Sequence, residues 1–145
     1  MTGIAIIASE LPVSLLEPVK DRLHDRGGSL EVRFEWWHEP ALLPVRWEGA
    51  LRLLPWGCKS RRSRLPTGGF LTREQVGAIA RTDEAVIPAN CGFHHGTWYL
   101  IEEGIRGVVL PEVPLVYVLV EPSTNYYRNM TGQSKLMPVL VNQVI

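Results

Sequence analysis

Cys91, His94 and His95 lie within one five-residue stretch, and Asn90 directly precedes them. A thiol, two imidazoles and a carboxamide this close invite two kinds of chemistry. The first is metal binding. A structural zinc takes four ligands, and this stretch offers three at most. Adjacent histidines on an extended chain point to opposite sides, and Cys58 joins them only if the fold brings it there. No metal and no cofactor are expected. The second is covalent catalysis, with Cys91 as a thiolate activated by His95. No acid within sequence reach orients that imidazole. The chain also lacks a GxSxG elbow, a P-loop and a GxGxxG turn. Glu102 and Glu103 read as a solvated hairpin rather than acid–base machinery. His24 and His38 are isolated and read as surface residues.

A different chemistry is written between Arg46 and Arg64. Six cations (Arg46, Arg52, Lys59, Arg61, Arg62 and Arg64) face one acid, Glu48, for a local net charge of +5. Trp47 and Trp56 are interleaved with them. Guanidinium groups hold phosphates, and indole faces stack on unpaired bases for roughly 1–3 kcal/mol each. Arg52, Trp56, Arg61, Arg62 and Arg64 are therefore candidate nucleic-acid-binding residues. The whole chain has a formal net charge of zero, so such binding would come from local charge alone.

Strands and turns must position these groups. Val86-Ile87 reads as a buried strand that Pro88 ends. Asn90 and Gly92 then suit a sharp turn that carries His94 and His95 to a rim. Ile4 to Ala8 reads as a buried first strand. Ser14 with Glu17 suggests a capping box, and Leu16, Val19 and Leu23 one helical face, with Pro18 in the first turn and Gly27-Gly28 as the stop. Leu30, Val32, Phe34 and Trp36 alternate with Glu31, Arg33, Glu35 and Trp37, which predicts a half-buried strand. A hairpin turns at Glu48-Gly49. Thr72 and Gln75 predict a second capping box, opening a short helix with Val76, Ile79 and Ala80 inward. Trp98 to Ile101, Gly104 to Leu110, Leu115 to Val120 and Leu136 to Val141 read as strands.

The 145 residues suit one domain over 1–145. Being 46% hydrophobic and 21% charged is ordinary for a globular chain. No apolar run nears the roughly 20 residues that span a bilayer, so no membrane is expected. No signal peptide is read at the N-terminus. Two cysteines are too few for a disulfide scaffold, and a reduced, cytoplasmic setting is the default. Eleven prolines and thirteen glycines between short apolar runs favour a β-rich fold over a helical bundle.

Four blocks, in order, resemble the SOS-response-associated peptidase family. Trp47 to Gly57, ending Leu-Pro-Trp-Gly, is similar to its "RWG" strand. Val86 to Phe93, reading Val-Ile-Pro-Ala-Asn-Cys-Gly-Phe, resembles "LVPADGFYEW". Val118 to Asn125 resembles "ILTTEAN", and Lys135 to Val141 resembles "DRMPVIL". The resemblance implies an α+β, mostly β domain: two curled sheets forming a barrel-like body with short peripheral helices. It implies single-stranded DNA as partner, particularly DNA carrying abasic sites. In that family a cysteine after the initiator methionine supplies an amine that forms a Schiff base with the ring-opened sugar, and a thiol that closes a thiazolidine. An asparagine, a glutamate and a histidine assist.

Here Thr2 stands where that cysteine belongs. The glutamate falls near His95, the histidine near Ser134, and the asparagine within Leu65 to Gly69. The family's catalytic residues are thus not matched. The candidate pocket comprises Thr2, Asn90, Cys91, His94, His95 and Ser134. The expected function is a catalytically degenerate binder of single-stranded or abasic-site DNA. One alternative is an enzyme with replaced chemistry, through a Thr2 amine of reference pKa near 8 or a Cys91/His95 thiolate. Another is a protein-interaction module that presents Trp37 and an open terminal edge.

Overall fold

The computed structural model describes residues 1–141. Strands are the commonest regular element among these residues, arranged in two sheets that the chain visits alternately. It starts in the first sheet with β1 (Gly3–Ile7), β2 (Leu23–Arg26) and β3 (Ser29–Glu35). It crosses to the second for β4 (Leu42–Trp47), β5 (Ala50–Pro55), β6 (Phe70–Thr72) and β7 (Asp83–Ile87). It returns to the first for β8 (Cys91–His94) and β9 (Thr97–Leu100). It ends in the second with β10 (Ile105–Leu110), β11 (Leu115–Pro122) and β12 (Leu136–Pro138). The orders are β2-β3-β1-β8-β9 and β12-β11-β10-β7-β4-β5, with β6 parallel to β11. The mostly β class is as expected, with α1 (Val13–Leu16), α2 (Arg73–Gly77) and α3 (Asn125–Met130) as short helices.

The sheets do not close into a barrel, which corrects the barrel-like expectation. One bridge, Trp56 to Val116, brings the chain leaving β5 back to β11, with Gly57 N–H on the Val116 carbonyl at 2.7 Å. A single bridge cannot continue a ladder, because Gly57 turns away with φ 62°.

The main core lies where the inner faces meet. Ile4, Ile6, Val32 and Phe34 of the first sheet share it with Val45, Ile87, Ile105 and Val116 of the second. A smaller core holds Val108, Leu110, Tyr117 and Leu119 beneath α2, with Val76 and Ile79 packed on it. β11 is buried on both faces, which is why Leu115 to Val120 reads as an unbroken apolar run.

Local chemistry explains where sequence expectations hold and fail. Glu48 and Gly49, at φ 53° and 75°, make the turn of the β4–β5 hairpin. Thr72 and Gln75 form the full reciprocal capping box of α2, although Ala80 is exposed. The helix expected over Leu16 to Leu23 does not form. Pro18 cannot donate an intrahelical bond; α1 ends at Leu16, and a 3₁₀ segment over Glu17–Arg22 kinks at Val19. Pro12 occupies the N-cap of α1 without a side-chain bond, so the Ser14–Glu17 box is absent. Gly27 and Gly28, both at positive φ, turn β2 into β3 instead of stopping a helix. β12 ends at Pro138, short of the expected Val141.

Candidate functional site at the amino terminus

β1 runs between β3 and β8, so the residues before it fall between the ends of those strands. Thr2 N–H donates to the Phe93 carbonyl at 2.7 Å, and Trp36 N–H donates to the Thr2 carbonyl at 2.9 Å. That register seats the Met1 amine 2.8 Å from Nδ1 of His94. Met1 is 8% exposed and its side chain belongs to the main core. Burial brings the amine down to a pKa of about 6. Burial, then the charge of that amine and of His95, brings His94 down to about 4. At neutral pH the amine is therefore uncharged and nucleophilic, and it donates to an imidazole that accepts at Nδ1. His95 packs edge-on against His94 with ring centroids 4.2 Å apart.

The turn beside this amine is not at Asn90 and Gly92, as the sequence suggests. It lies at His95 and Gly96, whose φ angles of 46° and 78° join β8 to β9. Gly92 serves closeness instead. A Cβ there would sit 2.5 Å from the Tyr99 ring, whose hydroxyl meets that of Tyr127 at 3.0 Å in the core.

The other pocket candidates separate from the amine. Asn90 is at the opposite end of β1. Its Oδ1 accepts from Ile7 N–H at 2.7 Å, and its backbone ties Ala5 to Ile101. It pins the crossing between the sheets. Cys91 opposes Ala5 and Leu100 and lines an apolar cavity of about 210 Å³ with Arg26 and Glu31. Burial pushes its thiol up, Arg26 pulls it down and Glu31 adds to the rise, for a net increase. The thiolate–imidazole pair with His95 is thereby corrected. Cys91 begins β8 and His95 follows its end, and among the described residues no imidazole acts on the thiol. Ser134 Oγ donates to the Leu136 carbonyl at 2.8 Å, which closes the turn before β12. No group of three or more metal-ligating side chains occurs among the described residues.

The basic segment splits into a buried root and an exposed loop. Trp56 is 2% exposed, its Nε1 donates to the Gly69 carbonyl at 3.0 Å, and Trp36 and Phe70 pack edge-on against it. It has no face for a base, so its assignment as a stacking residue is corrected. Arg52 lies on exposed β5 with its guanidinium 5.1 Å from the Trp47 ring centroid. Cys58 and Gly68 pair reciprocally at 3.0 and 2.6 Å and clamp the loop between them. Tyr117 hydroxyl holds its Pro66 carbonyl at 2.7 Å. Arg61, Arg62 and Arg64 are exposed on that loop, and among the described residues no carboxylate lies within ion-pair distance of them.

Trp36 links the loop root to the amine. Lys59 Nζ donates to the Trp36 carbonyl at 2.6 Å and stands 4.8 Å from its ring centroid. The same Trp36 bonds Thr2 through its backbone, as above. The next residue, Trp37, is 68% exposed. Sequence reasoning passed over two features here. The amine of Met1 is invisible in a side-chain inventory. Trp37 is the second: the strand expected to run through Trp36 and Trp37 stops at Glu35, and the two indoles lie in the turn after it, Trp36 half-buried and Trp37 exposed.

Compared with known protein families, with characterised proteins and with solved structures, the chain finds no match. Among the described residues no helix is long and apolar enough to cross a membrane.

Proposed function

We propose that this protein binds single-stranded or abasic-site DNA, with the exposed arginine loop on the backbone and the Met1 amine facing the lesion. The observation that carries the reading is the chain of contacts from the loop root through Lys59 and Trp36 to Thr2, and so to the amine and His94. Three guanidiniums with no ion pair among the described residues supply phosphate contacts. Trp37, exposed in the turn that follows β3, takes the stacking role that buried Trp56 cannot. The resemblance to the SOS-response-associated peptidase blocks implies an amine on residue 2, whereas the amine beside the Gly92–His95 segment here is that of Met1, one residue earlier.

Fluorescence anisotropy with a labelled single strand tests this. Affinity should fall with salt along a log–log slope of about −2, as expected for three phosphate contacts on a single strand. Replacing Arg61, Arg62 and Arg64 together by Ala should remove most of the slope. Trp37→Ala should weaken binding about fivefold or more, the loss of one stacked base. No binding at low salt, or binding indifferent to salt, sinks the proposal.

The amine–His94 contact favours a second reading, in which the bound lesion is captured covalently but reversibly. The uncharged amine adds to the sugar aldehyde, and the carbinolamine loses water to leave an imine. Met1 carries no β-thiol beside that amine, so no thiazolidine follows. Borohydride reduction on an abasic oligonucleotide should give an adduct at Met1 by intact and peptide mass. Its yield against pH should rise with a midpoint near 6, the amine's own pKa, rather than near the ordinary amine value of about 8. Absence of adduct rejects capture while leaving the binding proposal standing.

A further inference from the structure

α2 stands off the outer face of the second sheet and leaves a cavity of about 480 Å³ against β7, β10 and β11. Its floor is apolar, made by Val108 and Leu119, with Val76 on the helix side. Charged groups of both signs line the same space: Arg73 and Arg106, and Asp83 and Glu84. It shares no lining residue with the amino-terminal site.

The strand register makes this arrangement unusual. Val86 opposes Arg106 and Glu84 opposes Val108, so Arg106 and Glu84 project from one face as diagonal neighbours. Side chains of that length at a diagonal reach each other readily. Here they do not, and neither makes an ion pair with any described residue. Arg73 has only the outlying Glu121 at 3.9 Å. Asp83 spends Oδ2 on the Trp47 indole at 2.9 Å. One guanidinium, Arg106, and one carboxylate, Glu84, thus stand apart over an apolar floor, with Arg73 at the rim.

We propose that this cavity binds a free α-amino acid with an apolar side chain. The guanidinium of Arg106, with Arg73 beside it, takes the carboxylate in the two-bond geometry that a planar fork provides. Glu84 takes the ammonium; Asp83, next to it on β7, points to the opposite face, where it holds the Trp47 indole. The side chain lies on Val108, Leu119 and Val76. The volume falls within the range of small-molecule sites, roughly 300–1,000 Å³. An anion alone would leave Glu84 unanswered, and a cation alone would meet both arginines, whereas a zwitterion satisfies both signs at once.

Isothermal titration of the full chain with L-leucine and L-phenylalanine tests the proposal. At least one should bind saturably. The ammonium-blocked N-acetyl-L-leucine, the carboxylate-blocked L-leucinamide and the side-chain-less glycine should each bind at least tenfold more weakly than the better ligand. Arg106→Gln should weaken binding by a similar factor. Gly77 lines the cavity with open space around the position of a Cβ and an ordinary helical φ, so Gly77→Phe should obstruct the cavity without disturbing the sheet. Loss of binding in that variant, with thermal unfolding unchanged, supports the location even if Arg106→Gln fails to fold. No saturable binding by either amino acid up to about 10 mM, equal binding of the blocked compounds, or full binding by a folded Gly77→Phe variant would each overturn it.

Discussion

Proton occupancy at Met1 ties chemistry to stability. The folded amine titrates near pH 6, whereas a solvated one titrates near 8. Between those values the unfolded chain binds a proton that the folded chain refuses. Stability therefore rises with pH across that window and is lost as pH falls through it, by roughly 2–3 kcal/mol for a two-unit shift. His94, brought down to about 4 by burial first, extends the decline below pH 6.5 in the same direction. Thermal denaturation from pH 8 to pH 5 should show both parts. Protein acetylated at the N-terminus should lose the upper slope and keep the lower one. An unmodified protein whose melting temperature is flat between pH 8 and 6 would contradict the buried amine. None of this is visible from residue types, because a terminal amine has no letter and its burial depends on which strands flank it.

At the scale of elements, β8 and β9 show how much of the site local pattern can reveal. Alternation along Cys91 to His94 sends Cys91 and Phe93 to one face and Gly92 and His94 to the other. Closeness in sequence is therefore separation in space for Cys91 and His94, while His95 belongs to the turn beyond the strand. The hydrophobic pattern and turn chemistry made the β4–β5 hairpin, the α2 cap and the β10–β11 pair legible, since each is decided by neighbours within a few residues, and β3 only in part: Val32 and Phe34 are buried as expected, but Leu30 is exposed and Glu31 is buried between Arg26 and Arg33. The Leu16–Leu23 stretch was not, because helical spacing survives in a chain whose proline prevents the helix. Gly92 was misread for a related reason: a glycine required for close approach looks like one required for a turn. Gly92→Ala tests the distinction. With a Cβ 2.5 Å from the Tyr99 ring, it should cost about 1–3 kcal/mol by overpacking, measured by urea denaturation. A neutral substitution would mean that Tyr99 can withdraw from the strand.

The whole molecule is stitched by its alternating visits to the two sheets. β1 pairs with β8, β4 with β7, and Trp56 with Val116, so everything before Cys58 is laced to everything after Gly68. The clamp between those two residues isolates the arginine loop from that lacing. Trypsin should find its most accessible bonds after Arg61, Arg62 and Arg64, and denaturing gels should then show two fragments. On a sizing column those fragments should still travel together, and the far-ultraviolet circular dichroism should be unchanged. The polypeptide would then be cut in covalent terms while remaining one folded body, and its two halves, made separately, should recognise and complete each other on mixing.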